Sequence, residues 1–361
     1  MFSNCKNTRR LLRLLQPNRN QPRKYSTTDH GIEKTVIVSE SNDIYTNLAL
    51  EDWHYRNCKF DNRHLLILWS NDPCVVIGKF QNPWLEANVR ELGYLTRDGV
   101  KLARRNSGGG TVYHDRGNLN ITFFTPRQHY NRRHNLEVIT QAIRNEYGLE
   151  IEITKRDDLV IGDHKVSGTA AKLARTVAYH HCTLLVNSDK RILRDSLRKP
   201  QYKIETNATR STTSNVLNLA DVNANITIER LMVCIGLEYF ATPIPECAKQ
   251  HTIGDFNKLR PTEETFPGLI EIRDSLISWE WIYGKCPKFT ASKLIPGEMP
   301  ASVSFVIENG RVSLAQICFL DENGQETSSS ELEHFKDRKF CEELFDQVHY
   351  CICQKLYHIK N

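Results

Sequence analysis

From residue 34 onward the chain alternates short apolar runs with polar breaks rich in Asn, Asp, Pro and Gly. "KTVIVS" at 34–39 predicts a strand, and "SNDIYTNLALEDWHYRN" at 41–57 places cap-type residues ahead of Leu48, Ala49, Trp53 and Tyr55 at helical spacing. "HLLILWS" and "PCVVIG" are continuous β-branched and aliphatic runs separated by "NDP", so they are expected to pair as a hairpin of buried strands. "PWLEANVRELG" at 83–93, with Pro at its start and Gly at its end, predicts a helix.

A strand, a glycine loop and a second strand are expected over 100–125, followed by a helix over "NRRHNLEVITQAIRNEY" that stops at Gly148. "DLVIG", "HKVSGTA" and "TVAYHHCTLLV" read as further strands. Helices follow near "DKRILRDSL" and "TIERLMVCIGLEYF", on either side of a Thr/Ser-rich loop at 206–215. Past a turn-rich run at 261–272, "WEWIYGKCPKF" opens a new set of strands, in which "ENGR" marks a hairpin within 301–320. The stretch 330–356 is expected to close the chain as helix. Helices gathered between antiparallel strands, rather than strictly alternating with them, predict an α+β fold around a mixed, largely antiparallel sheet with flanking helices. The expected division is a leader over 1–28, a main domain over 32–274 and a small α+β domain over 275–361.

Composition adds a compartment. The 361 residues are 40% hydrophobic and 25% charged, ordinary for a globular protein. No apolar run approaches the roughly 18–20 residues of a membrane span, and no membrane association is expected. The net charge of +5 comes from the leader, which holds seven basic residues between Lys6 and Lys24 and no acid; removing them leaves −2. An acid-free, Arg-rich segment with "RRLLRLL" predicts a mitochondrial targeting peptide. With that charge gone, no nucleic-acid partner is expected. Eleven cysteines without a CxxC pair predict free thiols in a reducing compartment and no permanently bound metal.

Candidate chemistry gathers in three places. In "RRNSGGGTVYHDRGNLN", Gly108, Gly109 and Gly110 allow the backbone to pass close to a ligand, with Arg104 and Arg105 before them and Tyr113, His114, Asp115 and Asn118 after. The glycines alone do not separate an anion cradle from a hairpin connector. In "KRDDLVIGDHKVSGTAAK", a strand over "HKVSG" would put Lys165 and Ser167 on one side, where a lysine can meet a carboxylate or phosphate. Arg156 and Asp158 lie just upstream. In "YHHCTLLVN", alternation sends His181 and Thr183 to one face and His180 and Cys182 to the other, so the two histidines cannot chelate together.

Together, in this order and spacing, "RRNSGGGTVYHDRGNLN", "KVSGTAAK" and "YHHCTLL" resemble the lipoate-protein ligase A and lipoyltransferase family. "LEDWHYRN", "VVIGKFQNPWLEAN", "NATRS" and "WEWIYGKCPKF" look like its mitochondrial lipoyltransferase branch. The resemblance implies a catalytic domain of the biotin and lipoate ligase kind, related to class II aminoacyl-tRNA synthetases. It implies transfer of an activated lipoyl group, from lipoyl-AMP or a lipoylated H protein, to the acceptor lysine of lipoyl domains in 2-oxoacid dehydrogenase E2 subunits, by a monomer in the mitochondrial matrix. Lys165 would be the catalytic cation, and Tyr113, Arg156, Thr183, Thr212 and Ser214 would contact lipoyl-AMP. Arg105, Ser107, Gly108, Gly109, Gly110, His114 and Asp115 would flank the acyl chain. The alternatives are an ATP-dependent lipoate ligase that also makes its adenylate, an octanoyltransferase acting through Cys182, and a non-catalytic module binding lipoyl domains or RNA.

Overall fold

Strand β1 (Ile32–Ser39) ends where Asp43 caps helix α1 (Ile44–Asn57), its carboxylate accepting the Thr46 N–H at 2.9 Å and hydroxyl at 2.8 Å. The structure, a computed structural model, describes residues 32–245 and 251–360, and the expected leader lies outside them. Next come β2 (Arg63–Trp69), β3 (Cys74–Ile77), the single turn α2 (Pro83–Glu86), β4 (Lys101–Arg104), β5 (Val112–His114) and β6 (Asn118–Pro126). Helix α3 (Arg132–Tyr147) starts on an Asn131 cap and ends at Gly148, whose φ of 66° provides the left-handed stop the sequence predicts. Then follow β7 (Glu152–Ile153), β8 (Leu159–Ile161), β9 (His164–Lys165), β10 (Ser167–Leu173), β11 (Val177–Leu185), α4 (Lys190–Ser196), β12 (Lys203–Thr206), α5 (Leu219–Val222) and α6 (Ile228–Ala241). The remainder is β13 (His251–Leu259), α7 (Leu269–Ile277), α8 (Trp279–Ile282), β14 (Phe289–Ile295), β15 (Ala301–Glu308), β16 (Arg311–Leu320), β17 (Glu326–Glu331) and α9 (Glu343–Lys360).

The main sheet has six strands in the order β10-β11-β6-β2-β1-β13, parallel at the β2-β1 and β1-β13 pairs and antiparallel elsewhere. It is the mixed α+β sheet expected. Its central strands β1, β2 and β6 are buried on both faces, because alternate residues feed two cores. Leu66, Leu68, Ile121 and Phe123 meet α3 and α6 through Leu136, Ile139, Leu231 and Ile235. Leu65, Ile67, Phe124 and Tyr179 meet α1 and α7, together with Val76 and Ala103 of the small sheet β4-β3-β5. A five-stranded sheet, β12-β14-β15-β16-β17, carries its own core against α9. Its edge strand β12 comes from well before residue 275, so the second unit is assembled from two separate stretches of chain.

Several expectations are corrected. β2 and β3 do not pair with each other: β2 lies between β1 and β6, and β3 lies between β4 and β5. Runs that are apolar on both faces signal burial but carry no information on their neighbour. The helix expected over 83–93 is one turn plus a 3₁₀ segment at Leu92–Tyr94, because Asn88 to Glu91 bond locally and to Ser196 instead of continuing it. The closing helix begins only at Glu343, after strand β17. The strand over "HKVSG" breaks at Val166, which leaves Lys165 on β9 and Ser167 on β10. Among the hairpins, Asn309 and Gly310, at φ 50° and 74°, make the β15-β16 turn as expected.

Candidate active site

The glycine loop connects β4 to β5, which are not partners. β4 pairs parallel to β3 and β5 pairs antiparallel to β3 on its other side, so the loop must cross the end of β3. The residue it crosses is Gly78. A Cβ there would lie 2.3 Å from the Gly109 carbonyl oxygen and 3.2 Å from the Gly108 carbonyl carbon, which leaves room for hydrogen only. Gly109 itself has φ 87° and rests against Ala170 of β10.

The two arginines before the loop are spent on backbone carbonyls. Fully buried Arg104 donates to Gly78, Lys79 and Gln81 on one side and to Trp281 and Ile282 on the other, at 2.6–3.2 Å. Arg105 donates to the Val76 carbonyl, to the Gly108 and Gly110 carbonyls at 2.6 and 2.7 Å, and through Nε to the Ser107 hydroxyl at 3.0 Å. Burial lowers both guanidinium pKa values to about 10, so both remain cations at neutral pH. The loop is thus wrapped around a fixed charge rather than free.

Beneath it runs a buried polar chain. Glu51 of α1 meets Nδ1 of His181 at 2.9 Å, and Nε2 of His181 meets the Ser107 hydroxyl at 2.7 Å. Thr122 donates to the same Glu51 oxygen at 2.8 Å. Burial pushes the Glu51 carboxyl up, but the His181 charge and the hydrogen bonds from His181, Thr122 and Tyr179 outweigh it and hold the group below the usual carboxylate range. An ionised Glu51 accepts the proton on Nδ1 of His181, and Nε2 shares a hydrogen bond with the Ser107 hydroxyl. His114 lies beside this chain, bonded through Nδ1 to Asn71 at 3.1 Å, and burial lowers its pKa to about 3, so it is neutral. Its Nε2, like Nε1 of Trp69, is buried without a hydrogen-bond partner among the described residues. Unpaired buried donors and acceptors of this kind call for a ligand or water.

Further along lies Lys165 of β9. Its ammonium sits 2.5 Å from Asp158, and its backbone is bonded to Asn215 and Leu217, which brings the 206–217 loop alongside. Thr183 stands between the glycine loop and Lys165, its hydroxyl accepting the Gly168 N–H at 2.9 Å. Arg156 is exposed on the turn that carries Asp157 and Asp158, and Thr212 and Ser214 are exposed on the loop.

The structure therefore brings together Arg105, Ser107, the three glycines, His114, His181 and Thr183, and sets Lys165 with Asp158 beyond them. It turns the Tyr113 side chain the other way. Strand alternation directs Tyr113 into the outer cluster with Val75, Ile77 and Leu102, and it is His114 that faces the polar chain. Asp115 lies outside the chain too, holding the turn to Gly117 and the Asp189 N–H. Cys182 is on the α3 face of the sheet, opposite His181, with burial raising its pKa to about 12. That position and charge state are wrong for a nucleophile serving this site. Glu51 and Gln81 escaped the sequence reading. The signal for Glu51 was a carboxylate three residues after Leu48 and four before Tyr55, on the apolar face of α1.

A family model described as the lipoyl protein ligase A/B catalytic domain matches residues 43–239. The mitochondrial lipoyl amidotransferase LIPT1 of Mus musculus is 41% identical over 330 residues, covering 88% of this chain and 84% of the relative. Among solved structures, P. falciparum LipL1 in complex with lipoate superposes with a TM-score of 0.59 at 26% identity, covering 89% of this chain and 99% of that one. A bipartite lipoate protein ligase from Thermoplasma acidophilum, described with its E2 lipoyl domain, shares the fold at 21% identity and TM-score 0.55, covering 70% and 96%.

Proposed function

This chain belongs to the lipoyl protein ligase A/B catalytic-domain family, and from that premise we propose that it is a lipoyltransferase passing an activated lipoyl group to the acceptor lysine of E2 lipoyl domains. The observation that carries the reading is the glycine loop closed over Gly78 above the Glu51–His181–Ser107 chain, with Lys165 on β9 beyond Thr183. In this reading the acyl tail lies at the glycine-loop end, where Gly109 rests against Ala170. The donor in this reading is lipoyl-AMP, with the nucleotide toward Arg156, Thr212 and Ser214. Any contact from Tyr113 then comes from its main chain, and a lipoylated H protein is the alternative donor.

Lys165 polarises the mixed anhydride. As the acceptor amine attacks the carbonyl carbon, the bond to the phosphate oxygen breaks, AMP leaves with the electron pair, and the amine proton passes to solvent. Negative charge grows on the carbonyl and phosphate oxygens, where an aimed ammonium is typically worth about 3–4 kcal/mol. Asp158 holds that ammonium until the phosphate competes for it. The closed loop excludes water, which would otherwise hydrolyse the anhydride. A mitochondrial matrix location, action as a monomer and an accessory role for the unit after residue 275 complete the proposal.

The test is the intact mass of an apo lipoyl domain before and after incubation with lipoyl-AMP. A lipoyl increment is expected with the wild-type protein and a loss of about 10²–10³ in rate with Lys165→Ala, measured on protein that melts like wild type. No increment defeats the reading; an increment that needs only lipoate and ATP, with pyrophosphate released, makes the protein a full ligase.

A further inference from the structure

The loop proposed to reach the nucleotide is exposed over Thr209–Asn215 except at Ser211, and Ser211 is where a second polar knot lies. Gln81 is fully buried in the turn that follows Gly78. Its carboxamide oxygen accepts the Gly78 N–H at 2.8 Å and the Thr111 hydroxyl at 2.9 Å. Its amide nitrogen donates to the Ser211 hydroxyl at 3.0 Å. The same hydroxyl accepts the Thr111 N–H at 2.8 Å, and Glu86, also buried, accepts the Ser211 N–H at 3.2 Å. One side chain thus joins the β3 turn, the end of the glycine loop and the 206–217 loop.

We infer that Gln81 is a positioning residue that holds the Ser211 loop against the glycine loop, and through it sets the affinity for the nucleotide end of the acyl donor. The assignment rests on the lipoyl-transfer reading for what is bound, and on the hydrogen bonds alone for what is held. Gln81 touches neither the polar chain under the loop nor Lys165. Its loss releases the Ser211 loop and unpairs the Gly78 N–H and the Thr111 hydroxyl, while the Glu51–His181–Ser107 chain and Lys165 keep their own partners. Ser211 is the loop's matching anchor, so removing either partner breaks the bond that joins the loop to the β3 turn.

The test is a double-mutant cycle on the full protein with Gln81→Met, an apolar side chain of similar length, and Ser211→Ala. Steady-state transfer is followed with lipoyl-AMP varied and then with the lipoyl domain varied. Each single variant is expected to raise the donor KM about tenfold, the scale of one buried hydrogen bond with its unmet partner, with little change in kcat or in the acceptor KM. The double variant should fall short of the product of the two single effects, since the Gln81–Ser211 bond is lost in both. Unchanged donor KM in the single variants, or effects that multiply in the double, overturn the assignment. Amide hydrogen exchange over 207–214 reads the anchoring without any activity. Both single variants should speed exchange there, and unchanged exchange overturns the assignment even if the wild-type protein proves to transfer nothing, in which case the functional reading fails separately.

Discussion

Ser107, His181 and Glu51 stand at 2.7 and 2.9 Å in the order hydroxyl, imidazole, carboxylate, which is the geometry of a nucleophile, its base and an orienting acid. Two features argue for a wall instead. The Ser107 oxygen already accepts the Arg105 Nε–H, which lowers its readiness to attack, and the residue is fully buried under its own loop. Ser107→Ala should therefore slow transfer by about tenfold or less, the scale of one hydrogen bond, where loss of a nucleophile costs on the order of 10⁴–10⁶. Mass spectrometry of the enzyme mixed with lipoyl-AMP checks the point directly, and a lipoyl ester on Ser107 would show the wall reading to be wrong. At this scale the sequence displayed residue types well and orientation poorly. It placed His181 and Thr183 on a common face by alternation, and the structure agrees. It favoured Tyr113 over His114, because an aromatic beside three glycines looks like a wall until strand β5 is paired and its inner face defined.

Elements explain why the glycines are there. The loop crosses β3 because β4 and β5 flank it, and the crossing is tight because Gly78 and Gly109 meet backbone to backbone. Gly78→Ala puts a methyl 2.3 Å from the Gly109 oxygen, so the loop must lift. Overpacking of this kind typically costs about 1–3 kcal/mol of stability, and transfer should fall by more, on the order of 10²-fold, because the displaced loop is the roof of the site. Melting temperature and transfer rate measured together decide it: an unchanged rate in a folded variant removes the crossing from the site. The elements themselves were largely readable. Caps at Asp43, Asn131 and Thr227, the Gly148 stop and the Asn309–Gly310 turn are local signals, and each does what its chemistry predicts. Strand β13 was not readable. Gly254, Asp255 and Asn257 break its pattern, and it is a strand only because β1 offers it a parallel edge.

For the whole molecule, burial of neutral histidines sets a pH limit. His54 and His114 have pKa values lowered by burial to about 4 and about 3, and burial holds His180 well below 6.5. The unfolded chain binds these protons near pH 6.5 and the folded chain refuses them, so their contribution to stability is complete above that pH and is lost as pH falls. His54 and His114 each account for about 1.4 kcal/mol between pH 7.5 and 5.5, together about 3 kcal/mol, and His180 acts in the same direction. Urea midpoints at those two values should separate clearly, with the lower pH less stable; coincident midpoints would sink the argument. Arg104 belongs to the same scale. It joins the turn after Gly78 to the Trp281–Ile282 segment, so the chain past residue 275 is bonded to the turn that carries Gln81.

What the sequence determined by itself was the α+β class, most helices with their caps, the two faces of β11 and the three motifs that carry the family resemblance. All of these depend on short-range periodicity, turn chemistry or the identity of residues in order. The tertiary structure decided the rest: which buried strand lies beside which, that both arginines before the glycines hold carbonyls, that Glu51 reaches His181 from α1, and that Gln81 meets Ser211 across 130 residues. Those contacts join segments far apart in the chain, and a hydrogen bond or close approach between them leaves no period in either one.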